Sequence, residues 1–395
     1  MRHSDMTESQ KTILKLLILF GVPLSGAGID IFIPSLPSMS TALGVTKSAV
    51  SLTIPIYLLA YGLAQPVFGT LADSFGRRLP LIFGTGLFVL GSLIASGADT
   101  LEILLFARVL QGIGVSGPAV LTKASLTDAF EGEERMRMAN TMTIAWSVGP
   151  VMSPVLGGYL QEYYGWNSNF QFLTLYSSLL FLAVLFWWPE TAPDRVPLRP
   201  KAVLTSYRRV LFHREFYLSV ALLGLLYSVM IVFNVLGPFL IQKGLGFTPS
   251  EFGRVVLWLG LAWFLGNLSN KRWVRSFPRA QIIRTGLISM LSLAFLMLGI
   301  ALVTPLGFWS LIIPTFLLFI IGGTVFPNIW GRVLSIFPDA AGTASALMGS
   351  LMILGVSVVS AAAGFLSADT AVHLSLTYVF LLATALSTFL KLDRS

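Results

Sequence analysis

No cysteine occurs in the 395-residue chain, so disulfides and thiol-ligated metals are absent and the redox compartment leaves no trace. Three scattered histidines, His3, His213 and His373, suggest no metal site either, and no cofactor is expected. No nucleotide-binding loop, metal spacing or nucleophile constellation stands out, which argues against an enzyme. Charge is also scarce: 11% of the residues are Asp, Glu, Lys or Arg, against 55% hydrophobic. One soluble core cannot hide that much apolar surface, so the composition points to a membrane protein.

The apolar residues lie in twelve long blocks, approximately 12–36, 47–71, 79–98, 101–127, 136–163, 167–188, 216–242, 249–270, 280–303, 306–334, 341–366 and 370–391. About 20 residues at 1.5 Å each cross a hydrocarbon layer roughly 30 Å thick. Backbone groups in lipid must be satisfied within the segment, and continuous apolar runs are unlike the alternation of a barrel strand, so the blocks predict helices. The first block has no convincing small-residue cleavage site and is kept as helix 1.

A net charge of +8 raises nucleic-acid binding, but distribution decides otherwise. With the amino terminus inside, the outer loops hold only Lys47, Lys243 and Arg254 of the 26 Lys and Arg, and Arg108 lies within a span. The other 22 fall at or near inner ends. This positive-inside bias predicts a multi-pass protein of a bacterial inner membrane with both termini cytoplasmic, and leaves nucleic acid without separate support.

The longest polar stretch, 189–215, separates six blocks from six. Pro189, Pro193, Pro197 and Pro200 predict an extended lead, and 201–212 a short basic amphipathic helix against the inner leaflet. The expected division is a bundle over 1–188, a cytoplasmic linker over 189–215 and a second bundle over 216–395. Loops at matching positions support a repeat: Gly69-Thr-Leu-Ala-Asp73 runs on to Arg78, and 197 residues later Gly266-Asn-Leu-Ser-Asn270 runs on to Arg275.

The first of these loops, Gly69-Thr-Leu-Ala-Asp73-Ser-Phe-Gly76-Arg77-Arg78, resembles the loop 2–3 signature of the major facilitator superfamily in every fixed position. Its glycines make a tight turn that holds cations and a carboxylate at a helix end. Two readings follow, a charge lock between the halves in one access state or a positively charged topogenic loop. The glycines and the aspartate favour the lock. In helix 4, Arg108-Val-Leu-Gln111-Gly112-Ile-Gly114 resembles the signature of proton-driven antiporters. In helix 5, Gly149-Pro150-Val-Met-Ser-Pro154-Val-Leu-Gly157-Gly158 resembles the antiporter motif of exporters. Small residues there let helices approach, while the prolines bend the span.

Asp30-Ile-Phe-Ile-Pro34-Ser-Leu-Pro37, Pro189-Glu190-Thr191 and Gly342-Thr-Ala-Ser-Ala-Leu347 narrow the resemblance to the bicyclomycin/chloramphenicol-resistance type of drug:proton antiporter. Phe32 and Ser74 depart from that pattern. The resemblance implies a major facilitator fold, an all-α membrane protein of twelve transmembrane helices in two six-helix bundles. It also implies a monomer that exports drug-like molecules or metabolites by proton antiport.

The residues themselves lead to the same site. Of 18 carboxylates, only Asp30 sits deep within an apolar block. Keeping an aspartate there costs about 2.5–3.5 kcal/mol on insertion scales, so structure or function must offset it. Arg108 has the same expected depth, roughly 10 Å below the outer surface. Asp30 is read as the group that binds and releases the coupled proton, and Arg108 as the group that tunes it or exchanges for it. A permanent Asp30–Arg108 brace is the alternative. Tyr57, Tyr61, Tyr227, Phe233, Asn234, Trp258, Asn328 and Met348 are candidate cavity residues, because rings and thioethers suit broad apolar binding. Lys123 and Asp128 are read as interfacial charges at the inner end of helix 4. Two other functions stay open at this point: a transporter, possibly inward, of a siderophore or other carboxylate-bearing metabolite met by Arg108 and Lys123, and an uncoupled channel.

Overall fold

The computed structural model describes residues 6–192, 200–337 and 341–393, and the described residues form helices joined by short loops. Eleven helices are long and apolar enough to cross a bilayer. They are span 1 (Glu8–Ala42), span 2 (Lys47–Phe75), span 3 (Arg78–Ser96), span 4 (Leu101–Ala129), span 6 (Asn167–Trp187), span 7 (Arg214–Gly244), span 8 (Pro249–Ser276), span 9 (Arg279–Val303), span 10 (Phe308–Val333), span 11 (Ala344–Gly364) and span 12 (Val372–Asp393). Span 5 (Gly132–Tyr164) is a helix of 33 residues in which Ser147, Gly149, Pro150, Ser153, Pro154, Gly157 and Gly158 thin out the apolar side chains. Together they make twelve spans in two six-helix bundles.

An amphipathic linker helix, Pro200–Leu211, follows the sixth span, with the Tyr207 hydroxyl reaching the Pro66 carbonyl oxygen of span 2. The extended lead expected at Pro193 and Pro197 lies outside the described residues. The start of span 1, the end of span 12 and this helix lie on one side, the terminal side.

Helix ends are set by local chemistry. Thr7 and Thr248 open spans 1 and 8 with capping boxes completed by Gln10 and Glu251, and Thr100 caps span 4. Span 1, expected as one helix over 12–36, is instead broken and longer. Segments Glu8–Gly21 and Pro23–Asp30 are followed by a 3-10 turn at Ile33–Ser35 and a last piece, Leu36–Ala42. Pro23, Pro34 and Pro37 carry no amide hydrogen, so the helical bonds they would donate are missing. The break falls directly after Asp30. Asp30 is therefore deeper than expected, twelve residues short of Ala42.

Glycines bring span 5 against two neighbours. A Cβ at Gly157 would land on the Ile31 carbonyl oxygen of span 1, and one at Gly158 on the Pro249 carbonyl oxygen of span 8 in the other bundle. Gly149 faces the Pro23 carbonyl oxygen, 2.7 Å from where a Cβ would stand, and Gly26 abuts the Pro150 ring. Gly253 of span 8 returns the contact on the Pro154 carbonyl. The bundles thus close on each other along spans 5 and 8, at the ends away from the terminal side.

Spans 2 and 11 form the second seam. Ser357 Oγ donates to the Pro55 carbonyl at 2.8 Å and Ser350 Oγ to the Gly62 carbonyl at 2.7 Å. Pro66 cannot donate to Gly62, so Ser350 supplies the missing bond from the opposite bundle. At the far surface Lys47 Nζ donates to the Leu366 carbonyl and lies 5.7 Å from the Phe239 ring centre. Toward the terminal side span 5 is instead open, with Asn140, Thr141, Thr143, Ile144, Trp146 and Val148 all exposed. The arrangement is closed on the far side and cleft on the terminal side.

On the terminal side, loop 2–3 is held within the first bundle. Arg77 bridges Asp73 (Nη1–Oδ1, 2.6 Å) and Asp128 of span 4 (Nε–Oδ2, 2.8 Å). Burial works against the guanidinium, but the hydrogen bonds to Asp128 and Asp73 outweigh it and hold Arg77 above the usual arginine value. Glu190 accepts the backbone amides of Arg77 (2.7 Å), Arg78 (3.3 Å) and Ala192 (3.0 Å), and Arg78 Nη2 donates to the Leu185 carbonyl. Gly76 makes the turn at φ +92°, with Glu190 packed where a Cβ would be. Gly69 has only Val120 nearby, at an ordinary 3.9 Å. In this conformation the described ion pairs of the loop lie within the first bundle, Thr70 meets Tyr207 of the linker helix at 3.4 Å, and Asp128, expected as an interfacial charge, pairs with Arg77.

Gly76→Ala is expected to cost about 1–3 kcal/mol through its backbone angle alone. It should lower the thermal midpoint by several degrees in detergent, whereas Gly97→Ala, at φ −108° with open space around it, should not. Gly158→Leu is expected to part spans 5 and 8 on the far side. A cysteine introduced at buried Ser250, in a chain with no cysteine of its own, should then react faster with a membrane-impermeant maleimide; an unchanged rate would refute the seam.

Candidate functional site

Arg108 is fully buried in the middle of the first bundle, and its neighbours explain how a guanidinium survives there. Nη2 donates to the Gly28 carbonyl at 2.9 Å, Nε to the Thr53 carbonyl at 3.2 Å and Nη1 to Gln111 Oε1 at 2.6 Å. The Phe32 and Tyr57 rings lie 4.4 and 4.1 Å from its central carbon. Gly28 belongs to the last turn before the span 1 break, where helical carbonyls have lost their partners and the helix dipole favours a cation. Gln111 sits one turn from Arg108 on the same face, and its amide passes the chain on to Ser92 Oγ at 2.9 Å. Gly112 and Gly114 let spans 2 and 3 close around this network: a Cβ at Gly112 would strike the Tyr57 carbonyl, and at Gly114 the Phe88 backbone.

Asp30 is bonded to another partner than Arg108, which corrects the expected Asp30–Arg108 brace. Its Oδ1 accepts instead from Asn234 Nδ2 of span 7 at 2.9 Å, across the seam between the bundles. Both side chains are nine-tenths or more buried. Tyr57 and Tyr227 are near enough to the carboxyl to feel its charge. The span 1 break turns the arginine toward the Gly28 carbonyl, and the approach of span 7 brings Asn234 to the acid.

The other sequence candidates divide by position. Tyr57 and Tyr61 stack at a tilt with ring centres 6.2 Å apart, and the buried Tyr57 hydroxyl has no hydrogen-bond partner among the described residues. Tyr227 and Met348 are buried in spans 7 and 11. Phe233 is a packing residue of the second bundle, with its ring 6.3 Å from both Phe252 and Phe319. Trp258 is 61% exposed and outside the buried cluster. Asn328 is bound near the terminal end, its amide donating to Asn270 Oδ1 at 2.8 Å and the Thr324 carbonyl at 2.9 Å. It ties span 10 to Asn270, the repeat counterpart of Asp73. Lys123 is exposed on span 4.

Residues that the sequence left unremarked join the bundles: Ser350, Ser357 and Gln242, whose Nε2 donates to the Pro34 carbonyl at 2.8 Å. A signal existed for Ser350 and Gln242, because Pro66 and the proline-rich end of span 1 advertise carbonyls in need of donors. The partners themselves were hidden, being more than 200 residues away.

A model of the Major Facilitator Superfamily matches residues 18–361. Multidrug resistance protein D of Escherichia coli (strain K12) is 27% identical over 371 residues, covering 91% of each chain. A bicyclomycin resistance protein homolog of Haemophilus influenzae is 26% identical over 377 residues, covering 92% of each. A solved bacterial homolog of the human lysosomal transporter Spinster superposes with a TM-score of 0.78 at 15% identity over 98% of both chains, a likeness of fold. With twelve spans, the repeated loops and these matches in agreement, the chain belongs to the Major Facilitator Superfamily and resembles its bicyclomycin/chloramphenicol-resistance type.

Proposed function

We propose that this membrane transporter exports drug-like molecules or metabolites in exchange for protons by alternating access, with Asp30 as the proton-carrying group. One observation carries the reading: a buried acid stands at a helix break on the seam between two bundles, held by a residue of the opposite bundle. Rocking of the bundles would change the surroundings of that carboxyl, and a change of surroundings shifts the balance between its charged and neutral forms. Moving one charge through 100 mV supplies roughly 2.3 kcal/mol, about a fifty-fold gradient, so one titrating site is adequate for useful accumulation.

The bilayer is that of a bacterial inner membrane, with the terminal side cytoplasmic. The positive-inside bias supports this orientation. The open cleft then faces the cytoplasm, which suits loading of a substrate for export. Tyr57, Tyr61, Tyr227 and Met348 are the proposed substrate neighbours, since they combine buried aromatic and thioether surface with an unpartnered hydroxyl beside the acid. The names of the relatives, resistance proteins toward drugs, support amphipathic cargo. Carboxylate cargo has less support, because three acceptors and two rings already occupy Arg108. Arg108 is assigned to hold the broken end of span 1, and through it the position of Asp30.

In proteoliposomes with an imposed pH gradient, Asp30→Asn is expected to reduce gradient-driven transport at least about ten-fold, as loss of an essential titrating group would. Unchanged coupling at normal expression would overturn the proposal. Arg108→Lys keeps the charge but gives up the planar fork, leaving at least one buried acceptor bare at about 1–3 kcal/mol. A lower thermal midpoint in detergent should record that loss.

A further inference from the structure

The bundles are joined along their seam by hydrogen bonds that differ in one respect. Within the membrane, Ser350 donates to the Gly62 carbonyl, Ser357 to the Pro55 carbonyl and Gln242 to the Pro34 carbonyl. These acceptors are backbone oxygens whose charge never changes. Asn234 donates to Asp30 Oδ1 at 2.9 Å, an acceptor in the middle of the seam that can gain or lose a charge, whereas the other titratable groups bonded across the seam, Glu162 under the Ser250 amide and Lys47 on the Leu366 carbonyl, sit at the far rim.

We propose that Asn234 is a positioning residue that reads the ionisation of Asp30 and converts it into closure of the far side, so that the ionised acid latches the bundles and protonation releases them. The proposal rests on the reading of Asp30 as the proton-carrying group. An ionised carboxylate only accepts, and the Asn234 amide is a donor aimed at it. A hydrogen bond to a charged acceptor is roughly twice as strong as a neutral one. When a proton is added to Asp30, the same contact becomes an ordinary neutral bond, and the other seam bonds are unaffected.

Among the described residues no second carboxylate is bonded to this part of the seam. Asp30 faces Tyr57 of span 2 and Tyr227 of span 7, with Arg108 of span 4 behind Tyr57. The span 5 surface against this part of span 1 is Gly149, Pro150 and Gly157, which do not titrate. The acceptors of Arg108, the Gly28 and Thr53 carbonyls and Gln111, do not titrate and belong to the first bundle, so the asparagine is the group through which the second bundle senses the proton. Closure of the far side should rise with pH, because the latched form is the deprotonated one.

Absence of native cysteine lets this be measured directly. Spin labels at Ala42→Cys and Thr370→Cys, exposed on the far side in opposite bundles, report the separation of the bundles there as pH is varied in lipid nanodiscs. In the parent protein the ratio of closed to open populations in the distance distribution is expected to rise about five-fold from the protonated to the ionised limit, the difference between a neutral and a charge-assisted bond. Asn234→Leu should abolish that pH response, and Asn234→Gln, which restores the amide, should recover part of it and guard against a folding defect. A parent protein with no pH response, or an Asn234→Leu protein that keeps it while Asp30→Asn loses it, would overturn the latch and leave proton binding at Asp30 intact. A response that survives Asp30→Asn in a protein that also carries Glu162→Gln and Lys47→Met, which remove the titrating groups of the far rim, would overturn the proton-carrying role as well.

Discussion

Lipid offers no hydrogen bonds, and that constraint is felt most where span 1 stops being a helix. Between Asp30 and Ile33 the chain leaves carbonyls without helical donors, at a depth where each bare polar group costs several kcal/mol. Arg108 answers part of the demand by donating to Gly28, and its own charge is steadied by the Thr53 carbonyl, Gln111 and two ring faces. Gln242 answers another part from the second bundle at Pro34. The same break frees the acid to face the seam instead of the helix that carries it. Stability of the first bundle and chemistry at its edge thus share one irregular turn.

The seam follows a related rule. Wherever proline removes a backbone donor or glycine removes a side chain, the opposite bundle can come close enough to substitute. Ser350 meets the carbonyl that Pro66 leaves open, and Gly158 accepts the first turn of span 8 directly against its backbone. Contacts of this kind are short-range and carry little apolar area. They suit an interface that must separate and reform, since each is worth only about 0.5–1.5 kcal/mol. Loop 2–3 shows the opposite case: Arg77, Asp73, Asp128 and Glu190 bind one another within the first bundle, so this network keeps spans 2, 3, 4 and 6 together.

Much of this was legible in the residues because the bilayer converts composition into architecture. Apolar block length set the count of spans, and a lone deep carboxylate pointed to Asp30. Span 5 shows where the rule weakens: the apolar block at 136–163 did not mark the polar turn before it, yet the helix begins at Gly132 and runs for 33 residues. Phe233, Trp258 and Asn328 show a second weakness. An aromatic or amide residue in an apolar run carries no mark of the side it faces, and these three turn to the core of their own bundle, to the exposed surface and to Asn270 respectively.

By itself the sequence determined the twelve spans, the two matching halves, the glycine–proline motifs and the identity of the buried charges, since all of these depend on local pattern or on the cost of charge in lipid. Only the tertiary structure decided the partners. That Asp30 meets Asn234 rather than Arg108 follows from a helix break and from two bundles pressed together across 204 residues of chain. Pairing of buried polar groups is settled by which backbone oxygens lose their own donors and which side chains arrive to replace them. A linear order of residues records the first and is silent on the second.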